Sequence, residues 1–138
     1  MKQIHILLVE DNEGDIFLTI EALQDWKVIN KISVARDGKA ALSFLDANEL
    51  PDLILLDVNL PKKNGHEVLE YIKKSDKLKQ IPVLMLTTSS SENDILRSYQ
   101  QHANCYITKP VEVEDFFRTI ASIEDFWISI VKLPQQSN

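Results

Sequence analysis

Apolar residues in this chain come in short blocks, each closed by polar or turn-forming residues. Ile4–Val9 is one such block, ended by Glu10-Asp11-Asn12. Gly14-Asp15 then opens a different spacing, with Ile16, Ile20 and Leu23 at i, i+4 and i+7. The first pattern predicts a buried strand and the second a helix. Lys31–Ala35 alternates and is β-branched, a second strand. After the Asp37-Gly38 turn, Ala41, Leu42 and Leu45 mark a second helix. Leu53–Asp57 is a third strand, and the Pro61–Gly65 turn leads to a third helix carrying Val68, Leu69 and Ile72. Lys73–Gln80 is a polar connection to a fourth strand, Val83–Thr87. A run of hydroxyl residues, Thr87–Ser91, offers N-caps to a fourth helix with Ile95, Leu96 and Tyr99. Cys105–Thr108 is a fifth strand, closed by Lys109-Pro110, and a last helix runs from about Val113 to Val131.

Strand and helix thus alternate five times, a (βα)5 pattern. Alternation of this kind predicts a parallel sheet with helices on both faces. A closed barrel needs eight such units, so an open, doubly wound α/β sheet is expected.

In such a sheet the carboxyl ends of the strands share one crevice. The expected strand ends bring Glu10, Asp11, Asp57, Thr87, Thr88 and Lys109 to it. Three carboxylates held together repel one another, and a divalent cation relieves that. An all-oxygen set with few protein ligands suits Mg²⁺, which keeps waters and binds jointly with a phosphate. Lysine adds a fixed positive charge and threonine a hydrogen-bond donor. The set fits phosphoryl transfer, which depends on positioning and charge neutralisation. A carboxylate can itself be the nucleophile, giving an aspartyl-phosphate. Each piece also has a plain structural explanation. Glu10-Asp11 could serve only the helix N-terminus, Thr87 could be a cap, and Lys109 could be solvated. Their coincidence at one edge favours a site.

Composition narrows the classes further. A chain of 138 residues, 44% hydrophobic and 26% charged, suits one soluble domain with its own core. The single cysteine, Cys105, excludes an internal disulfide framework. A net charge of −6 argues against a nucleic-acid surface. No run is long enough to span a membrane, and no signal peptide is visible, so a cytoplasmic protein is expected. Residues 1–133 form the expected domain and 134–138 a short disordered tail, with no output domain attached.

Taken in order, VEDN at Val9–Asn12, LLDVNLP at Leu55–Pro61, Gly65, LTTS at Leu86–Ser89 and YITKP at Tyr106–Pro110 resemble a response-regulator receiver domain. The likeness covers essentially the whole chain. It implies a flavodoxin-like sheet of order 2-1-3-4-5, a topology for which a chemotaxis receiver is a standard example. It implies that Asp57 accepts a phosphoryl group from the phosphohistidine of a histidine kinase. Glu10, Asp11, Asp57 and the backbone carbonyl of Asn59 would hold Mg²⁺ or Mn²⁺. Thr87 would be the switch hydroxyl, Lys109 the phosphoryl-pairing amine, and Tyr106 the aromatic switch. Lys109-Pro110 would be cis, a rare bond that here aims the lysine inward. Thr88 stands where the family commonly has a small residue, so it would narrow access to the acyl phosphate. Ser89 stands at a variable position flanking that access.

Output would then pass through a partner or a second copy. Phe116, Ile120, Ile123 and Trp127 form the expected core stripe of the last helix. Phe126, Ile128, Ile130 and Val131 widen the apolar arc, as interface surfaces do. Phe116, Phe126, Trp127 and Ile130 are the candidate contacts of a homodimer. The run DFWISIVKLP and the extended connection before Pro82 resemble the single-domain regulators encoded beside bacterial and cyanobacterial phytochromes. That likeness implies a red-light photoreceptor kinase upstream.

Three other classes fit less well. A haloacid-dehalogenase-type phosphohydrolase wants a D-x-D nucleophile pair after the first strand, where Glu10-Asp11 are adjacent instead. A flavin module wants a phosphate-cradling loop there, and acids repel phosphate. A degenerate receiver is disfavoured because the phosphorylation set is filled.

Overall fold

A computed structural model describes residues 4–26, 29–47, 50–62, 64–87, 105–108, 114–122 and 124–125. Chain order runs β1 (Ile4–Val9), α1 (Glu13–Leu23), β2 (Ile29–Ala35), α2 (Gly38–Ala47), β3 (Leu53–Asp57), α3 (Gly65–Lys74), β4 (Val83–Thr87) and β5 (Cys105–Thr108). Residues 114–122 and 124–125 are helical. The strands form one sheet in the order β2-β1-β3-β4-β5, and every adjacent pair is parallel.

Strand side chains alternate between the two faces, and each face has its own core. On one face Leu7, Val9, Ile54, Leu56, Val83 and Met85 pack with Ala41 and Leu45 of α2 and Val68, Leu69 and Ile72 of α3. On the other, Ile6, Leu8, Leu53, Leu55, Leu84 and Leu86 pack with Ile16 and Leu23 of α1 and with Phe116 and Ile120. Helices therefore cover both faces, which explains why β1 and β3 are buried along their whole length.

Several expectations are corrected. β2 starts at Ile29, two residues before Lys31, because a register shift in β1 lets Ile4 pair with Ile29 while His5 pairs with Lys31. α1 buries Ile16, Thr19, Ala22 and Leu23, while Ile20, half-buried, packs at the edge of that core. The stretch Lys73–Gln80 is not simply polar, since Leu78 is buried and joins the α2–α3 core. The amides of Leu78 and Lys79 both donate to the carbonyl of Ser75, closing a compact turn. Lys73 Nζ ties that turn down, donating to the carbonyls of Lys79 and Ile81 at 3.3 and 3.2 Å. Phe116 is only 6% exposed. It belongs to the core stripe and not to an exposed patch between copies. The expected fourth helix and the ends of the last one lie outside the described residues.

Among the described residues no helix is long and apolar enough to cross a membrane.

Candidate functional site

The β1–β3 register builds the site. Val9 pairs with Leu56, so the residues one step further, Glu10 and Asp57, leave the sheet side by side. Glu10 is held there by its own amide, which donates to the carbonyl of Ala35 at 3.0 Å and extends the β1–β2 ladder by one step. Its carboxylate turns forward and accepts the amide of Asn12 at 3.3 Å. Asn12 in turn caps α1, its Oδ1 accepting the amide of Asp15 at 2.9 Å. Asp11 sits between these two fixed residues and is exposed.

Asp57 closes β3, and Asn59 begins to bound it, its amide donating to Asp57 Oδ1 at 3.0 Å. The chain then reverses. The amide of Val58 donates to the carbonyl of Leu86 in β4, and that of Gly65 donates back to Val58 at 2.8 Å. Gly65 is required by this close approach: a β-carbon on it would stand 2.7 Å from the Cα of Val58, and closer still to the carbonyl of Asp57. Asn64 and Glu67 form a reciprocal capping box that starts α3 directly after the turn.

The result is a cluster of three acids. Glu10, Asp11 and Asp57 each present a carboxylate oxygen, and these oxygens lie within 4.8 Å of one another. Glu10 and Asp57 are 1% and 6% exposed, so two of the three charges are withdrawn from water. Hard oxygen donors at this spacing, open to solvent on the Asp11 side, fit a divalent cation of the Mg²⁺ or Mn²⁺ type.

Thr87 ends β4 one residue beyond Leu86, the register partner of Asp57, and is itself paired with Thr108. Tyr106 lies in β5 opposite Met85. The backbone therefore carries Thr87 to the strand beside Asp57 and Tyr106 to the next strand out. Thr88, Ser89, Lys109, Pro110, Phe126, Trp127 and Ile130 lie outside the described residues.

One neighbouring arrangement was not anticipated from the sequence. Asp37 caps α2, its Oδ1 accepting the amide of Ala40 at 2.7 Å. Its other oxygen lies 3.5 Å from Lys62 Nζ in the β3–α3 turn. The amide of Ala40 holds the Asp37 carboxyl below its ordinary value, with burial opposing and the Lys62 charge assisting. The N-cap was legible as an aspartate ahead of a helical run. The ion pair was not, because it joins residues twenty-five apart.

Comparison with known proteins agrees with this geometry. The response regulator receiver domain family matches residues 6–121. The response regulator Rcp1 of Synechocystis sp. is 46% identical over 135 residues, covering 94% of this chain and 92% of that protein. The crystal structure of the phosphorylated cyanobacterial phytochrome response regulator RcpA superposes with a TM-score of 0.88 at 47% identity, covering 92% of this chain and 95% of that one. The Mn²⁺-bound form of Rcp1 superposes with a TM-score of 0.86 at 44% identity, covering 92% and 96%.

Proposed function

Because this chain belongs to the response regulator receiver domain family, we propose that Asp57 is the residue through which it accepts a phosphoryl group in two-component signalling. The observation that carries the proposal is the cluster of Glu10, Asp11 and Asp57, with carboxylate oxygens within 4.8 Å at one sheet edge.

Glu10, Asp11, Asp57 and the backbone carbonyl of Asn59 are the ligands for Mg²⁺ or Mn²⁺. When bound, the cation offsets the negative charge that gathers as a phosphate approaches three carboxylates. The protein's own part is positional. Asn59 fixes one oxygen of Asp57 through its amide, and the Asp57 carboxylate is the nucleophile. In the transfer, a phosphorus–oxygen bond to Asp57 forms as the phosphorus–nitrogen bond of a phosphohistidine breaks. The imidazole keeps the electron pair and takes up a proton. Lys109 pairs with the transferred group, with Lys109-Pro110 cis to aim it. Thr87 donates its hydroxyl to a phosphoryl oxygen, and Tyr106 follows it inward. Thr88 and Ser89 flank the entrance and set how readily water or a kinase reaches the acyl phosphate. The chain promotes its own phosphorylation and dephosphorylation and turns over no other substrate.

The full (βα)5 architecture, the cytoplasmic setting and the absence of nucleic-acid binding belong to the same reading. The upstream kinase is a phytochrome; the likeness to the cyanobacterial phytochrome response regulator RcpA supports this. Output runs through a homodimer contact that includes Phe126, Trp127 and Ile130 on the last helix.

The experiment is phosphotransfer from an autophosphorylated phytochrome histidine kinase. Label should leave the kinase and appear on wild type but not on Asp57→Asn. Failure of wild type to take label from that kinase, while it takes a phosphoryl group from a small acyl phosphate, would remove the phytochrome pairing alone. Failure with both donors would remove the proposal.

A further inference from the structure

The β2–α2 connection contributes no ligand to the acid cluster, yet Ala35 at the end of β2 and the loop residues Arg36 and Asp37 together touch both walls of the crevice. Ala35 accepts the amide of Glu10 at 3.0 Å. Arg36 forms an ion pair with Glu13, the first residue of α1, just past Asp11 and Asn12. Asp37 pairs with Lys62 at 3.5 Å, just past Asp57 and Asn59. Lys62 is also the one non-glycine residue with positive φ among the described residues, at 67°. That left-handed conformation is disfavoured for a residue with a β-carbon. Glycine or asparagine would sit there more easily, but neither reaches across to the next loop with a charge. The lysine stays in an unfavourable backbone state and spans to a carboxylate that is itself fixed by the amide of Ala40.

We propose that Arg36, Asp37 and Lys62 are positioning residues of the cation site: the Arg36-Asp37 pair clasps the two acid-bearing loops and sets the spacing of Glu10 and Asp11 against Asp57 and Asn59. This rests on the reading of the three acids as a cation site. No member of the clasp touches the cation or the phosphoryl group. Its effect is to hold apart and in register two loops whose carboxylates repel each other before the cation arrives.

Simple electrostatics and the clasp predict opposite signs. Deleting a positive charge near a cluster of acids should tighten cation binding through space. If Arg36 and Lys62 act by holding the loops, deleting either should weaken it. The measurement is Mn²⁺ affinity by titration calorimetry at low ionic strength, using MnCl₂. The variants are Arg36→Gln, Lys62→Gln, Asp37→Asn and the double variant of Asp37 and Lys62. Asparagine retains the N-cap oxygen of position 37 and removes only its charge.

Lys62→Gln and Arg36→Gln should each bind Mn²⁺ about two- to fivefold more weakly, the range an exposed ion pair supports. The double variant should be no weaker than Asp37→Asn alone. The differences should shrink in high salt, which screens exposed pairs. Lys62→Gly, which also relieves the backbone, should be at least as stable as wild type to urea and still bind more weakly. It takes the place of Lys62→Gln if that variant does not fold. Affinity equal to or tighter than wild type in both the Arg36 and Lys62 variants overturns the proposal. A folded wild type that binds no Mn²⁺ overturns the reading of the acids themselves, and this proposal with it.

Discussion

Gly65 lies against the backbone of Asp57 so closely that a β-carbon on it would fall inside contact distance of the Asp57 carbonyl and 2.7 Å from the Cα of Val58. Both obstructing groups are backbone, so no side chain can swing aside. The turn after β3 can close only over a residue without a side chain. Gly65→Ala should therefore destabilise the fold by about 2 kcal/mol, as overpacking of a tight site does. It should also slow phosphorylation more than the stability loss accounts for, because the strain is delivered to the residue that carries Asp57. Urea unfolding and the phosphorylation rate of the folded fraction check the two parts.

The strands and the acid cluster were legible because the evidence for them is local. Ile4–Val9, Leu53–Asp57, Val83–Thr87 and Cys105–Thr108 begin and end where apolar blocks meet polar residues, and the structure has those same bounds. The expected β2 begins only at Lys31 because Asn30 looks like a turn residue; the bulged pairing with β1 draws Ile29 into the sheet. Leu78 was hidden by the lysines around it, although its burial is what organises the connection after α3. Topology alone was enough to gather Glu10, Asp11 and Asp57. The contacts of Arg36 and Lys62 with other loops depend on side-chain reach, and no spacing in the chain announces that.

Asp37 links stability to acidity. Its folded carboxyl is held below the unfolded value of 3.8. The folded state thus binds fewer protons than the unfolded state between those two values. The contribution is complete above pH 3.8 and is lost as pH falls through the lower, folded value. Asp37→Asn should be less stable than wild type near neutral pH. The gap should narrow as acid protonates the wild-type carboxylate, as urea midpoints from about pH 7 down to about pH 2.5 can show.

Lys73 tests whether the turn after α3 is held from within. Burial pushes its ammonium below the usual lysine range, and two carbonyls, of Lys79 and Ile81, accept from it. Lys73→Met keeps the aliphatic stem and deletes the donor. Desolvation of the charge offsets part of the bonding, so the expected loss is about 1 kcal/mol. It should appear as a lower urea midpoint with an unchanged slope.

The proposed contact between copies makes a separate prediction. Phe116 is in the core, so the test falls on residues further along the helix. Phe126→Ala and Trp127→Ala should shift sizing chromatography from dimer towards monomer while circular dichroism stays that of the wild type. A wild type that elutes as a monomer with and without phosphorylation removes the dimer.

Intact mass after incubation with acetyl phosphate and Mg²⁺ bears most directly on the role of Asp57. Wild type should gain one phosphoryl group, chelation of the cation should prevent it, and Asp57→Asn should gain none. A folded wild type that stays unmodified, or an Asp57→Asn variant that is modified to the same extent, would contradict the account.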